Sequence, residues 1–466
     1  MKIGYVIVLC ACIMHVEVYA QPYRTGCLND TMLYKDVSLA KEQVMRAPLP
    51  AEYSLQRFCP RPKNQGDFGT CTAWATAYAA RTIIEAIQYG WEDVEYITQQ
   101  TFSPAFVYCQ IKREDDANCQ DGSYIEHALN LLKNSGVPKY VDFHPDCADG
   151  IVRGLRAKAR EFKIDQYRRL FDRSYTRDAK ARSVKKAISE NRPVVISMWV
   201  PKSFSKQKKG CWHPVPGDSW PMTENESRWH AMCVVGYDDV KYGGSFLIMN
   251  SWGPDWGENG YTWVTYDDFA QFVVEGYELY CRPKSPENKE GEFSGEVSLS
   301  LRSGESMPLR RIRDGDNVFF STQDVYDQGN RYRLYINSDN PVYVYVITSD
   351  DKNTVDVLFP GTSGVSAALD YKRNRIAVPD EHHVYCMGEG QGSDFLCIVF
   401  SKMELDIESV EKVILSSKGG FSKKVDEALK KYGLVSKEAF GDYGRASFEV
   451  MTQGVVLPVI IEIRHN

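Results

Sequence analysis

Gln65-Gly66-Asp67-Phe68-Gly69-Thr70-Cys71-Thr72-Ala73-Trp74 runs without a break into Ala75-Thr76-Ala77-Tyr78-Ala79-Ala80-Arg81-Thr82-Ile83-Ile84-Glu85-Ala86-Ile87. Alanine interleaved with large apolar residues describes a central helix packed closely on most of its sides. Gly69 permits a tight turn into that helix and places Cys71 in its first turn, where the macrodipole favours a thiolate. A cysteine so placed is, taken alone, more often buried or disulfide-bonded than reactive. Its reading depends on partners.

Those stand far downstream. Trp229-His230-Ala231 opens the apolar run Ala231-Met232-Cys233-Val234-Val235, and Asn250 closes Phe246-Leu247-Ile248-Met249 before Ser251-Trp252-Gly253. Runs apolar on both faces indicate buried strands, whose ends present side chains to a cleft. A thiol attacks a carbonyl well only as thiolate. It needs an imidazole to take its proton, an amide to hold that ring, and donors for the developing oxyanion. Cys71, His230, Asn250 and Gln65 supply these four parts. Singly, the histidine reads as a satisfied structural residue and the asparagine as a turn; their order, with glycine-rich Trp256-Gly257-Glu258-Asn259-Gly260-Tyr261 following, favours a site.

With these motifs, residues from about 48 to 283 resemble the papain (C1) family of cysteine peptidases. The resemblance implies an α+β, two-lobed fold with a helical lobe and a β-barrel-like lobe. It implies Cys71 as nucleophile, His230 as general base and acid, Asn250 as the residue orienting the imidazole, and Gln65 in the oxyanion hole. Trp252 falls on the tryptophan that shields the Asn-His hydrogen bond and is counted with the substrate-binding residues. Cys119-Gln120-Asp121-Gly122-Ser123-Tyr124 resembles the family's Cys-Asn-Gly-Gly-Tyr segment. That likeness places Gly122 and Ser123 where substrate backbone docks beside the P2 pocket, with Ala231 lining the pocket.

Departures from the family pattern carry their own expectations. Phe68 stands where relatives have a half-cystine, which leaves Cys119 to pair elsewhere, with Cys109 as a candidate, or to stay free. Thr72 replaces a bulky aromatic beside the nucleophile. The loop over 201–228, with Cys211-Trp212-His213 and Trp220, is long enough to narrow the cleft toward short or terminal substrates. Residues 21–47 are too few for a folded inhibitory propeptide; they read as a plain extension or as a short peptide that blocks the cleft until clipped.

Lys2, the apolar run over 3–14 and Val18-Tyr19-Ala20 have the layout of a secretory signal over residues 1–20. The expected location is therefore extracellular or periplasmic, including the cell surface. A lipid-anchor reading at Leu9-Cys10-Ala11-Cys12 leaves little hydrophobic region upstream. No later stretch reaches the roughly 20 apolar residues of a membrane helix. Of thirteen cysteines, ten remain for disulfides once Cys10, Cys12 and the nucleophile are set aside, and Cys233 reads as a buried free thiol. With no Cys-x-x-Cys and only His382-His383 as a histidine pair, neither metal nor cofactor is expected.

A chain of 466 residues with 43% hydrophobic and 25% charged residues is ordinary globular material, and its net charge of -6 gives no footprint for nucleic acid. Protein or peptide substrates are the expected partners. Single cores rarely grow past about 250 to 300 residues, so a second domain is expected. The charged, Pro-bearing stretch over 284–294 reads as a linker between a catalytic domain at 48–283 and a module at 295–466.

From Glu296 onward, alternating runs such as Tyr332-Arg333-Leu334-Tyr335-Ile336 and Phe395-Leu396-Cys397-Ile398-Val399-Phe400 predict a mostly antiparallel β domain with one or two helices. A helix is expected near 421–432, ended by Gly433, with a last strand around 455–463. Tyr343-Val344-Tyr345-Val346-Ile347, Leu358-Phe359-Pro360 and Phe400-Ser401-Lys402 resemble a domain of unknown function that follows peptidase domains in some secreted bacterial proteins; that likeness implies a bacterial source. Tyr332, Tyr335, Tyr343 and Tyr345 ordinarily pack a sheet face, with glycan or cell-surface contact as the alternative. Cys386 and Cys397 are expected to tie adjacent strands together. Two other functions fit the same residues: transglutaminase-like acyl transfer, and non-catalytic adhesion on a peptidase scaffold.

Overall fold

The computed structural model describes residues 23–30, 33–40, 48–151, 154–218, 228–281, 292–315, 317–350, 354–361, 364–369, 374–388, 391–435, 440–442 and 444–466. The signal at 1–20, Trp220 and most of the linker lie outside these residues.

One long helix dominates the first half. It starts at Cys71–Ala73, is wound with the wider π pitch over Trp74–Arg81, and returns to α over Thr82–Tyr89, where Gly90 at φ 65° ends it. The alanines let neighbours approach on every side: Ala73, Ala77, Ala80 and Ala86 are fully buried. Helices Pro104–Ile111 and Ile125–Asn134 pack beside it and complete a helical lobe.

The second lobe is an eight-stranded sheet. Its order is Gln166–Phe171, Val273–Tyr280, Val194–Trp199, Trp229–Asp238, Ser245–Met249, Tyr261–Thr265 and Cys211–Trp212, with Glu52–Ser54 paired beside Trp229–Asp238. The first and last strands of this order do not pair, so the lobe is an open sheet rather than the barrel-like closure expected. Val194–Trp199, apolar except at Ser197, is buried along its whole length. One apolar core, from Cys27 to Cys281, joins helices and sheet.

Two seven-stranded sheets follow from Glu292 onward. Val297 and Leu334 of one share a core with Val344 and Ile398 of the other, so the pair forms a sandwich. The opposite face of the second sheet, with Tyr345, Ile347 and Val399, is covered by helices Ile407–Ser416 and Phe421–Leu429. Period-two alternation explains both contacts, since odd and even residues of a strand face different layers. Tyr332 and Tyr345 are buried, so the four tyrosines form no common surface stripe.

The cysteine expectations need correcting. Cys119 pairs with Cys147, 28 positions on, and not with Cys109, which is a free thiol. Cys386 and Cys397 are not joined by a disulfide: the first is exposed beside the strand Arg331–Ser338, the second is buried in the other sheet. Cys397 faces the helices on the far side of its sheet, away from the sheet whose strand Arg331–Ser338 pairs with Cys386. Cys233 is a buried free thiol, as expected. Among the described residues no helix is long and apolar enough to cross a membrane.

Candidate active site

The helix end and two strand ends converge. Cys71 opens the helix; its sulfur accepts a hydrogen bond from the backbone N-H of Ala231 at 3.5 Å, the residue next to His230. His230 Nε2 lies 2.7 Å from Asn250 Oδ1, which leaves Nδ1 as the ring nitrogen without a hydrogen-bond partner. An Asn carbonyl can only accept, so Nε2 carries the proton in this contact and Nδ1 presents its lone pair. Trp252 stacks on the imidazole with ring centroids 4.4 Å apart.

Gln65 is held at both ends. Its backbone N-H donates to the Ser251 carbonyl at 2.8 Å, and its Oε1 accepts from Ser251 Oγ at 2.6 Å. Nε2 is thereby turned outward, where it donates to the Phe68 carbonyl at 2.8 Å and the Arg24 carbonyl at 3.3 Å. Gly122 has φ 87°, and a Cβ there would lie 2.3 Å from the Gly26 carbonyl oxygen. Ser123 forms a short hydrogen bond with Thr72, so the small residue in place of an aromatic is accommodated by a polar contact. Gln65, Cys71, His230, Asn250, Trp252, Ala231, Gly122 and Ser123 thus lie around one groove. The described part of the loop over 201–228 packs Phe204 against Trp252 and Trp256, behind the imidazole.

The groove is filled by the chain's own N-terminal segment. Cys27–Leu28 pairs in parallel with Ser123–Tyr124, the Gly26 N-H donates to the Trp229 carbonyl at 3.3 Å, and the Ser123 N-H donates to the Gly26 carbonyl at 2.9 Å. Tyr23 stacks on Trp252 at 4.9 Å, and the Trp252 indole N-H donates to the Arg24 carbonyl at 3.0 Å. The Gly26 backbone also lies against the Cys71 sulfur as a hydrogen-bond donor. A sulfur facing an N-H has no carbonyl carbon to attack. Residues 23–29 therefore lie across the site as a strap.

Burial sets the protonation states. Both Cys71 and His230 are 0% exposed. Desolvation pushes the Cys71 thiol up to about 12, against the pull of backbone N-H groups from Ala231, Gly26 and Thr72. Desolvation likewise lowers His230 to about 4, against the support of Asn250. Under the strap, thiol and imidazole are both neutral between these limits.

Sequence reasoning missed a buried polar cluster beside the strap. Cys27 Sγ donates to Ser197 Oγ at 3.3 Å, and Asn29 Nδ2 donates to the same oxygen at 3.1 Å. Beyond Cys27, Tyr277 Oη lies 2.7 Å from Glu126 Oε1 and 3.0 Å from Glu275 Oε2, while the other oxygen of each carboxyl is buried without a hydrogen-bond partner. Desolvation first, and then the neighbouring Glu126 charge, raise Glu275 to about 8. One phenol has one proton, so a second bond requires a protonated carboxyl, which agrees with that shift. A glutamate inside the apolar run Phe272-Val273-Val274-Glu275 was the available signal. Among the described residues no group of three or more His, Cys, Asp or Glu is placed to share a metal ion.

Comparison with known proteins gives one family and a set of distant relatives. The model described as papain family cysteine protease matches residues 53–280. An uncharacterized peptidase C1-like protein of Acanthamoeba polyphaga mimivirus is 28% identical over 217 residues, covering 44% of this chain and 63% of that protein. Gamete and mating-type specific protein A of Dictyostelium discoideum is 26% identical over 221 residues, covering 46% of this chain and 43% of that protein. The chain thus spans less than two thirds of the length of either. Among solved structures, xylellain, a cysteine protease from Xylella fastidiosa, is 24% identical with a TM-score of 0.45, covering 56% of this chain and 97% of that one.

Proposed function

Residues 53–280 form a papain-family cysteine protease domain, and from that premise we propose that the chain hydrolyses peptide bonds through a thioester on Cys71 once its strap has left the groove. The observation that carries the proposal is the Asn250–His230 contact at 2.7 Å, which leaves Nδ1 unpaired, while the backbone N-H of the next residue, Ala231, lies 3.5 Å from the Cys71 sulfur. With water admitted, the thiol and imidazole return toward their ordinary ranges and the helix dipole favours the thiolate.

The steps follow from these residues. Cys71 Sγ attacks the substrate carbonyl; Gln65 Nε2, released by the Arg24 carbonyl, donates to the oxyanion. His230 protonates the leaving amine, the C–N bond breaks, and the thioester remains. The same nitrogen then takes a proton from water, which attacks the thioester and releases the acid. Gln65→Ala is expected to lower kcat about 10²- to 10³-fold with little change in KM, as loss of one oxyanion donor does. Steady-state kinetics on a strap-free variant checks this, and a KM change with constant kcat would remove Gln65 from the role.

Gly122 and Ser123 are the backbone dock, and Ala231, paired in register with Ser197, borders the adjoining pocket. Cys27 plugs that pocket in the resting chain. Its carboxyls select a basic side chain: a Lys or Arg entering past Ser197 would meet the unpartnered oxygens of Glu126 and Glu275 and lower their pKa values. Charge-assisted hydrogen bonds are worth about 1.5 to 3 kcal/mol, so Glu275→Gln should reduce kcat/KM for basic-residue peptides about 10- to 100-fold and leave apolar ones nearly unchanged. A paired peptide library reads the ratio; an unchanged ratio would remove the pocket from specificity.

The catalytic domain is assigned to 48–283 and the β module to 295–466, with secretion directed by residues 1–20. Transfer of the acyl group to an amine rather than water is tested by supplying a labelled amine with the substrate; hydrolysis is the expected product.

A further inference from the structure

The strap has a second anchorage, away from the groove. Residues 38–40 lie between the two halves of the chain as a single extended rung. On one edge the Arg169 N-H donates to the Ser38 carbonyl at 3.0 Å and the Ala40 N-H to the Arg169 carbonyl at 2.8 Å, in the edge strand Gln166–Phe171 of the catalytic sheet. On the other edge the Leu39 N-H donates to the Gly364 carbonyl at 2.7 Å and the Ser366 N-H to the Leu39 carbonyl at 2.8 Å. Leu39 thus bridges Arg169 and Val365 in parallel register.

The module's side of this junction is itself paired to a sheet strand. The Val344 N-H donates to the Ala367 carbonyl at 2.8 Å, and Ala368–Leu369 pairs antiparallel with Val342–Ser349. Arg168 reaches across as well: it pairs with Glu278 in the catalytic sheet and donates through Nη1 to the Ala368 carbonyl at 2.9 Å.

We infer that the carboxy-terminal module clamps the inhibitory strap, so that the contact of residues 364–366 with Leu39 helps keep Cys71 covered. This rests on the reading of the strap as inhibitory. Without the clamp, residues 38–40 keep only their two hydrogen bonds to Arg169; with it, both edges of the rung are paired, so the segment that follows the groove-bound stretch is held on two sides. The contribution comes from the backbone hydrogen bonds themselves. Each is worth a factor of about 2 to 12 in the seated population. Displacing the module, by force or by a ligand that competes for the 364–366 edge, would therefore release the catalytic groove.

The test uses the full chain and the rate at which a thiol-directed epoxide labels Cys71, located by mass mapping. Leu39→Pro removes the amide that donates to Gly364 while leaving Ser38 and Ala40 bonded to the catalytic sheet; Ser366→Pro removes the reciprocal donor. Each should accelerate labelling about 10-fold, and the double variant about 10²-fold. Leu39 belongs to none of the apolar cores, so it carries the test even where Ser366→Pro perturbs the module. Gly26→Val, which disrupts the strap in the groove directly, separates the two ideas. Fast labelling of Gly26→Val with the proline variants at the parent rate overturns the clamp and spares the strap. Parent-rate labelling in all of them overturns the strap reading and the clamp with it.

Discussion

Gly26→Val is expected to convert a silent chain into one that turns over substrate and takes a thiol-directed epoxide on Cys71. A Cβ at this position would lie 2.3 Å from the Gly69 carbonyl oxygen and 2.4 Å from Gly69 Cα, and its carbonyl already sits against Gly122. These are backbone atoms on both sides, so no side-chain rotation relieves the clash. Overpacking of this kind costs about 1 to 3 kcal/mol or more, which corresponds to a rise of about 10² in the open population. The pH profile should change with it. In the seated state burial holds the thiol near 12 and the imidazole near 4, so between these values neither is charged. Once water enters, the thiol falls and the imidazole rises, and a bell-shaped rate profile between two ordinary pKa values should appear. A Gly26→Val chain that folds and labels no faster than its parent would falsify the strap as an inhibitor.

The difference between what the sequence made legible and what it did not follows the range of the interactions. Alanine-rich packing after Cys71 and unbroken apolar runs next to His230 and Asn250 are local patterns, and the helix and strands stand where those patterns end. The second domain's alternation was equally readable, since period two fixes which residues face each layer. The strap was not readable in this way. Tyr23 to Asn29 shows no periodicity, and its position comes from backbone pairing with residues about a hundred positions away. Cys119 failed for the same reason: its partner Cys147 lies within a 5.7 Å Cα distance only because the intervening chain folds back. Glu275 sits in an apolar run as a visible anomaly, yet its meaning depends on Tyr277 and on Glu126 from a different lobe.

Cys71→Ala, placed in the Gly26→Val background, should remove turnover while leaving the fold intact. The substitution deletes one sulfur from a helix start and replaces it with the best helix former, so the loss of the Ala231 N-H contact is the main structural change. Loss of a covalent nucleophile in comparable machinery costs about 10⁴- to 10⁶-fold in kcat, with only binding and oxyanion donors left to act. Labelling discriminates further. Burial pushes Cys59 up to about 12 and raises Cys233 well above the ordinary thiol range, while Cys109 and Cys211 are held near 11. Those thiols are poor nucleophiles at neutral pH. Cys386 is exposed, so any modification there reports background reactivity and should be equal in both chains. Epoxide on Cys71 in the Gly26→Val chain, none in its place when Cys71→Ala is added, and loss of labelling when His230→Ala is added instead would tie sulfur and imidazole to one reaction. Turnover that survives Cys71→Ala would instead require another nucleophile, and the assignment of the groove would be wrong.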